Sequence, residues 1–260
     1  MIGGVDLEFV RLQVENHIAL VTVDRPPVNA IHAQLYDEIA ETFRSLNDRN
    51  DVRVAIFTGA GSKAFIAGND LNEFLTMDSN NAGERMKRAR ESFWSVYDCR
   101  VPVIGAINGP ALGTGLAYAA VCDLLVASEN ATFGLPEINV GVMGGAKHLS
   151  RLVPQMVVRY MHYTGIPLKA SEMKQYGAVI EVVPSGQLMD KAYELANQLA
   201  HKSPIALRFA KQSLNTIEYM DLKAGYEFEQ GLTGELSRFE DSKEAVRAFF
   251  EKRDPVFRGE

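Results

Sequence analysis

The chain has 260 residues, of which 47% are hydrophobic and 23% charged, and its formal net charge is −6. A net negative charge argues against nucleic acid or an anionic membrane as a partner, and no apolar run reaches the roughly 20 residues that cross a bilayer. The opening MIGGVDLEFV lacks the pattern of a secretory signal. We therefore expect a soluble, cytoplasmic protein with a sizeable core.

A strand pair and a helix are predicted at the start of the chain. Val10, Leu12 and Val14 alternate with polar residues, a turn follows, and IALVTVD continues the pattern, which predicts a β-hairpin. The prolines of RPPVNAI then end the second strand. From residue 32 the apolar residues are spaced by four, four and three, which predicts an amphipathic helix. These residues are Leu35, Ile39, Phe43 and Leu46.

Strands and helices continue to alternate as far as residue 185. Short apolar runs predict buried strands at 52–59, 101–108 and 178–183, with a helix through Trp94 between the first two. This alternation indicates an α/β fold, whereas the chain beyond Ser185 has only helical patterns. We predict a core domain at residues 1–185 and a helical oligomerisation region at residues 186–260.

The stretch GPALGTGLAYAAVCD places three glycines before an apolar helical run. Because a glycine inside a helix costs about 1 kcal/mol, we place Gly109, Gly113 and Gly115 before a helix that begins near Leu116. The unpaired N–H groups of a helix start can form an oxyanion hole for a carbonyl oxygen that gains charge. The alternative explanation for the glycines is close packing of this helix on a neighbouring element. The glycines by themselves favour this alternative over an oxyanion hole.

A second backbone turn of this kind occurs in FIAGNDL. Gly68 allows the chain to turn before a new helix, with Asn69 or Asp70 as the N-cap. Taken alone, this segment is an ordinary capped helix start. Two segments with free backbone N–H donors in one chain indicate an oxyanion hole more strongly than either segment does alone.

The best acid/base candidate is Glu137. Pro136 keeps Leu135 extended, and we expect Leu135, Ile138 and Val140 to surround the carboxylate with apolar groups. Such burial raises the pKa of a glutamate toward the working pH, as general acid/base catalysis requires. A solvated surface glutamate is the alternative, and position alone favours it.

We expect no metal and no separate cofactor. The two cysteines are too few for a disulfide framework, and the five histidines form no ligand pair. The segment GAGSKA satisfies the G-x-G-x-x-(G/A) dinucleotide pattern. Gly68 and Asn69 interrupt the helix that this pattern should open, so we do not predict a nicotinamide enzyme.

Taken together, these segments resemble the crotonase (enoyl-CoA hydratase/isomerase) family. RPPVNAI looks like the family's RPxxNA, KAFIAGNDLNEF is similar to AFxAGxDL, and PVIGAINGPALGTGLAYAAVCD looks like PVIAAVNGxAxGGGxxLAxxCD. ATFGLPEINVGV and the tail AFFEKRDPVF also fit. The resemblance implies a spiral of ββα units, a C-terminal helical region that builds trimers or hexamers, and an enolate formed from a coenzyme A thioester in fatty acid metabolism.

The resemblance also implies the site residues. The oxyanion donors would be the backbone N–H groups of Asn69 and Thr114, where Thr114 replaces the middle glycine of the family's GGG. Coenzyme A would lie along segments 25–30 and 67–71, completed by the tail of a neighbouring subunit. The implied substrate-binding residues are Arg25, Pro27, Val28, Ala30, Ala67, Gly68, Asp70, Leu71, Gly113, Pro136, Phe249 and Lys252.

Ala117 departs from the family's hydratases, which carry the first of two glutamates there; the second aligns with Glu137. Adding water across a double bond needs a base and an acid, whereas one carboxylate can carry a proton between C2 and C4, as in the family's isomerases. We therefore expect double-bond isomerisation, with Glu137 as the acid/base and hydration as the runner-up. A lyase, hydrolase or decarboxylase, and a non-catalytic CoA-binding homologue, remain open. The shortened loop GVMGGAKHLSRL leaves the acyl group undetermined.

Overall fold

The structure is a computed structural model that describes residues 7–76 and 78–260. Residues 1–6, on which the expectation of no secretory signal partly rests, lie outside the described residues. The strands are β1 (Val10–Glu15), β2 (Ile18–Val23), β3 (Val54–Gly59), β4 (Val103–Ile107), β5 (Ala111–Leu112), β6 (Leu124–Ser128), β7 (Thr132–Gly134), β8 (Leu168–Lys169) and β9 (Glu181–Val183). The helices are α1 (Ala33–Leu46), α2 (Leu71–Leu75), α3 (Ala82–Tyr97), α4 (Thr114–Val121), α5 (Ala146–Leu149), α6 (Gln155–Thr164), α7 (Ala170–Gln175), α8 (Leu188–Ala200), α9 (Pro204–Ile217), α10 (Leu222–Leu236) and α11 (Glu240–Glu251).

The predicted hairpin forms one edge of a six-stranded sheet. Its strand order is β1-β2-β3-β4-β6-β9, and only the β1–β2 pair is antiparallel among these neighbours. Every residue of β3 and β4 is buried, as continuous apolar runs predict for central strands that are covered on both faces. The α/β class predicted from the alternating pattern is confirmed.

Helix α1 covers one face of this sheet. Its predicted apolar stripe is completely buried, and α1 packs along α3 over a core that includes Phe57 of β3. The rings of Phe43 and Phe57 meet edge to face with centroids 5.2 Å apart. The period of four, four and three therefore identifies the core face of α1 correctly.

Helix α8 covers the opposite face. Leu188, Ala192 and Ala196 are buried in a second cluster with Val54 and Ile104 of the sheet. Within the segment 186–260, α8 thus packs on the sheet, whereas α9 packs against α10. The domain boundary after residue 185 stays a prediction.

A smaller sheet, with the order β5-β7-β8, brings the site segments together. A parallel bridge joins Ile66 to Ala111 of β5, and a second one joins Ile31 to Asn69. These two bridges align three distant segments, 25–31, 64–70 and 109–114, at one place in the fold.

The C-terminal helices expose many apolar side chains. Leu222 is 88% exposed, and Phe249 and Phe250 are 79% and 78% exposed. Large exposed apolar patches usually mark sites of contact with another molecule. Within the part of the chain that the structure describes, no helix has the length and apolarity needed to cross a membrane.

Candidate active site

An ion pair joins the two segments that were predicted to bind coenzyme A. Arg25 donates from Nη1 to the carbonyl oxygen of Ala30 at 2.6 Å and from Nη2 to Oδ2 of Asp70 at 2.7 Å. The hydrogen bond from Arg25 is the main cause that lowers the pKa of Asp70. Asp70 also accepts a hydrogen bond from the backbone N–H of Asn72 at 3.1 Å, so the prediction of an N-cap here is confirmed. Arg25 and Asp70 therefore hold the two segments together.

Asn29 fixes the shape of the first segment. Its φ of 54° is in the left-handed region, which asparagine tolerates better than most residues. The buried side-chain amide donates to the carbonyl oxygens of Ala64 at 3.2 Å and Phe65 at 3.1 Å. The N–H of Ala67 donates to the carbonyl oxygen of Val28 at 3.2 Å. Sequence reasoning did not single out Asn29, although it lies within the RPPVNAI motif.

Helix α4 begins at Thr114, two residues earlier than predicted. The carbonyl oxygen of Ile66 leaves no room for a side chain at position 115, because a Cβ there would lie 2.0 Å from it. Gly113 has a φ of 55°, which disfavours residues with a Cβ. Close packing therefore explains Gly115, and the same packing brings the start of α4 against segment 64–70.

The two predicted oxyanion donors lie where this packing occurs. Asn69 follows Gly68, Thr114 follows Gly113, and a Cβ at position 113 would lie 3.8 Å from the Cα of Gly68. In the described residues, no protein acceptor pairs with the backbone N–H of Asn69 or Thr114. The positive end of the α4 dipole adds to the field at Thr114. Two neighbouring, unpaired N–H groups can receive a carbonyl oxygen that gains negative charge.

Glu137 lies beside these donors, in a 3-10 helix that begins at Pro136. A Cβ at position 113 would lie 2.6 Å from Oε1 of Glu137, so glycine at position 113 makes room for the carboxylate. Oε2 is buried and has no hydrogen-bond partner among the residues that the structure describes. Burial is the main cause that raises the pKa of Glu137, and a hydrogen bond from its own backbone and the charge of His162 oppose it.

The prediction that three apolar neighbours surround the Glu137 carboxylate is partly wrong. Leu135 is completely buried, but Ile138 is 42% exposed and Val140 is 64% exposed. The 3-10 helix turns these two side chains toward solvent, because neighbours along a helix do not share one face. Gly113 and helix α6 pack against this segment and exclude water from the carboxylate. Both are distant in the sequence, so the neighbours of Glu137 along the chain do not reveal this burial.

Ala117 is buried in α4, with 3% of its surface exposed. Its methyl group provides no acid or base at this position of α4. Leu71, at the start of α2, is 64% exposed and available to a ligand.

The predicted tail residues lie at the end of the last helix. Phe249 lies near the end of α11 and Lys252 is its C-cap. Within residues 7–76 and 78–260, no hydrogen bond joins either side chain to segments 25–30 or 67–71. Their contribution from a neighbouring subunit stays a prediction.

Sequence reasoning also missed Tyr36. This residue follows Leu35 on α1 and is buried, and its hydroxyl lies 2.7 Å from Oδ1 of Asn69. The signal that was available is a phenolic hydroxyl on the apolar face of a helix, since a buried tyrosine usually finds a polar partner.

Comparisons with known proteins identify a family model and several similar chains. A family model described as enoyl-CoA hydratase/isomerase matches residues 13–260. A (7aS)-7a-methyl-1,5-dioxo-2,3,5,6,7,7a-hexahydro-1H-indene-carboxyl-CoA hydrolase of Rhodococcus jostii is 39% identical over 92% of this chain and 92% of its own. A short-chain-enoyl-CoA hydratase of Clostridium acetobutylicum is 35% identical over 95% and 97% of the two chains. The crystal structure of an enoyl-CoA hydratase from Bacillus anthracis has a TM-score of 0.93 and 33% identity, covering 97% of this chain and all of that one (100%).

Proposed function

The chain belongs to the enoyl-CoA hydratase/isomerase family, and we propose that it isomerises the double bond of an enoyl-CoA through an enolate. One observation carries the proposal: a desolvated carboxylate, Glu137, lies beside two unpaired backbone N–H groups, those of Asn69 and Thr114. This arrangement provides one proton carrier and one site for the negative oxygen.

The reaction needs nothing further from the protein. The thioester oxygen accepts hydrogen bonds from the N–H groups of Asn69 and Thr114, which lowers the pKa of the C2 proton. The carboxylate of Glu137 takes this proton, and the electron pair moves onto the thioester oxygen as a dienolate. Glu137 then returns the proton to C4, and the double bond forms between C2 and C3. Because the acid and the base are one group, Ala117 removes nothing that the reaction requires.

Hydrolysis of an acyl-CoA is the second candidate. The observation that favours it is the relative from Rhodococcus jostii, which is named a hydrolase and has 39% identity over nearly the whole chain. A single carboxylate is sufficient as the base that activates water. Hydration is the third reading, since another relative is named a hydratase, but it needs an additional acid or base to replace the glutamate missing at position 117.

One assay separates these reactions. The purified protein is incubated in heavy water with a 3-enoyl-CoA, a 2-enoyl-CoA and a 3-oxoacyl-CoA, and the products are followed by mass spectrometry. Isomerisation moves the double bond without adding water, hydration adds water to the 2-enoyl thioester, and thioester hydrolysis releases free coenzyme A. Cleavage of a carbon–carbon bond adds water while coenzyme A stays attached. Rapid hydration without isomerisation would refute the proposal, and binding without any turnover would indicate a non-catalytic homologue.

Coenzyme A binding and assembly complete the proposal. We expect Lys252 to contact a phosphate of coenzyme A from a neighbouring subunit, so Lys252→Ala and added salt should both weaken acyl-CoA binding in calorimetry. The exposed apolar side chains of α10 and α11 support a trimer or a pair of trimers. Light scattering that reports a monomer at micromolar concentration would refute the assembly, and unchanged affinity would refute the role of Lys252.

A further inference from the structure

The hydroxyl of Tyr36 contacts the side chains of both residues whose backbone N–H groups form the proposed oxyanion hole. It donates its one hydrogen to Oδ1 of Asn69 at 2.7 Å and therefore accepts a hydrogen bond from Oγ1 of Thr114 at 3.3 Å. Within the described part of the chain, these are the hydrogen bonds that the two side-chain oxygens make. One hydroxyl on α1 therefore connects two segments that are 45 residues apart along the chain.

Tyr36 itself is held firmly. It is 7% exposed, its carbonyl oxygen accepts a hydrogen bond from Ser92 at 2.8 Å, and its ring meets Phe93 edge to face at 6.1 Å. Burial raises the pKa of Tyr36 to about 12, so the hydroxyl keeps its proton throughout any practical assay. Tyr36 thus acts as a fixed hydrogen-bonding group and not as an acid or base.

The separation of the two N–H donors decides how well they bind an oxyanion. The donor at Asn69 belongs to a loop, whereas the donor at Thr114 belongs to the first turn of α4, so the two move together only if something joins them. The β-bridges fix Ile31 to Asn69 and Ile66 to Ala111, and α1 starts two residues after Ile31. A misplacement of 1 Å in a catalytic group can cost about 100-fold in rate.

From this geometry, and resting on the proposed enolate chemistry, we propose that Tyr36 is a positioning residue that sets the spacing of the two oxyanion donors. Its hydroxyl fixes the side chains of Asn69 and Thr114, and through them the direction of their backbone N–H groups. The residue acts through Asn69 and Thr114. Its effect is on the polarisation of the thioester carbonyl and on the rate, not on the affinity for coenzyme A.

The test uses the full chain and the variant Tyr36→Phe, which keeps the ring and removes the hydroxyl. Hexanoyl-CoA labelled with ¹³C at the thioester carbon is bound, and infrared difference spectroscopy measures the stretching frequency of that carbonyl. We expect the wild type to lower this frequency relative to the free thioester and Tyr36→Phe to lose at least half of the lowering. Removing an oxyanion donor outright costs about 100- to 1,000-fold in kcat, so misplacing it should cost about tenfold, with KM changed less than about twofold.

Tyr118→Phe is the matched control. Like Tyr36, Tyr118 is buried and its ring meets Phe93 edge to face, but its hydroxyl forms a hydrogen bond with Ser92 at 2.7 Å instead of with the oxyanion segments. Both variants lose a buried hydroxyl and should lose stability. Only Tyr36→Phe should change the carbonyl frequency; an equal change in Tyr118→Phe would overturn the inference, because packing alone would then explain it.

A second variant tests the same connection from the other side. Thr114→Val removes the hydroxyl that Tyr36 contacts and keeps the side-chain volume. We expect it to reduce the carbonyl shift, and Tyr36→Phe combined with Thr114→Val to cause less than the sum of the two losses, since coupled residues are not additive. Additive losses would overturn the inference.

The outcomes distinguish this inference from the proposed reaction. An unshifted carbonyl in the wild type would overturn the oxyanion hole and the role of Tyr36 together. A shift that Tyr36→Phe leaves intact would overturn the role of Tyr36 alone. A shift that Tyr36→Phe reduces, in a protein that does not isomerise 3-enoyl-CoA, would support the role of Tyr36 and overturn the proposed reaction.

Discussion

The two sides of the candidate site are stabilised in opposite ways. On the donor side, the Arg25–Asp70 ion pair and the amide of Asn29 join the segments that carry the unpaired N–H groups. On the acid/base side, Glu137 has a buried oxygen without a partner, and Ala117 offers only a methyl group in α4. The fold satisfies the polar side chains around the donors and leaves one oxygen of the Glu137 carboxylate without a partner among the described residues.

This difference indicates where the catalytic effect of each side comes from. Donors that are fixed before the substrate arrives stabilise a new negative charge without reorganising. A carboxylate that has lost its water is a stronger base, and the folded protein is less stable because of it. Changes at the Arg25–Asp70 pair should therefore affect acyl-CoA binding, whereas changes at the N–H donors and at Glu137 should affect the chemical step.

The largest expected effect comes from Glu137→Gln. The amide keeps the shape of the side chain but cannot take a proton, so turnover should fall about 100- to 10,000-fold. The affinity for hexanoyl-CoA, measured by calorimetry, should stay nearly unchanged. Glu129→Gln, at an exposed position, is the control and should retain full activity. Retained turnover in Glu137→Gln would place the base elsewhere.

The next effect concerns the apolar position 117. A carboxyl introduced at this buried site has no partner prepared for it, so Ala117→Glu should lower the free energy of unfolding by about 2 kcal/mol relative to Ala117→Gln. Burial raises the pKa of such a carboxyl, and its ionised form is the costly one. The gap between the two variants should widen as the pH rises in chemical denaturation experiments. A constant gap would show that the site can hold a second carboxylate, as a hydratase requires.

A smaller effect should follow from breaking the ion pair on the donor side. Arg25→Met removes the hydrogen bonds to Asp70 and Ala30, which loosens the surface predicted to bind coenzyme A. We expect acyl-CoA binding to weaken about tenfold, as the loss of a charged hydrogen bond predicts, with kcat little changed. Asp70→Asn combined with Arg25→Met should add little to this loss, because the two residues act as a pair. A fall in kcat at unchanged affinity would contradict the assignment.

The smallest effect is on stability, again at Glu137. The folded protein raises the pKa of this carboxyl above its value in the unfolded chain, so the folded state keeps the proton to higher pH. Between the ordinary and the raised pKa the wild type therefore loses stability as the pH rises, whereas Glu137→Gln does not. Across this pH interval the urea concentration at the midpoint of unfolding should decrease for the wild type relative to Glu137→Gln. If the two midpoints changed with pH in the same way, the folded state would not raise the pKa of Glu137.

Local patterns predicted the elements of this fold, but not how distant segments meet. The spacing of Leu35, Ile39 and Phe43 fixed the core face of α1, because a helical period depends on sequence neighbours alone. The burial of Glu137 was predicted for a partly wrong reason: Ile138 and Val140 face solvent, and Gly113, 24 residues earlier in the chain, lies against the carboxylate. Tyr36 was missed because its partners, Asn69 and Thr114, come from two other segments that meet it only in the folded chain.

Isotope transfer tests most directly whether one carboxylate carries the proton from C2 to C4. A 3-enoyl-CoA labelled with deuterium at C2 is converted in ordinary water, and the position of the label in the 2-enoyl product is measured by nuclear magnetic resonance. If Glu137 removes and returns the same proton, part of the deuterium should appear at C4, and Glu137→Gln should form this product about 100- to 10,000-fold more slowly. Label that reaches C4 at an undiminished rate in Glu137→Gln would contradict the account, because another group would then carry the proton.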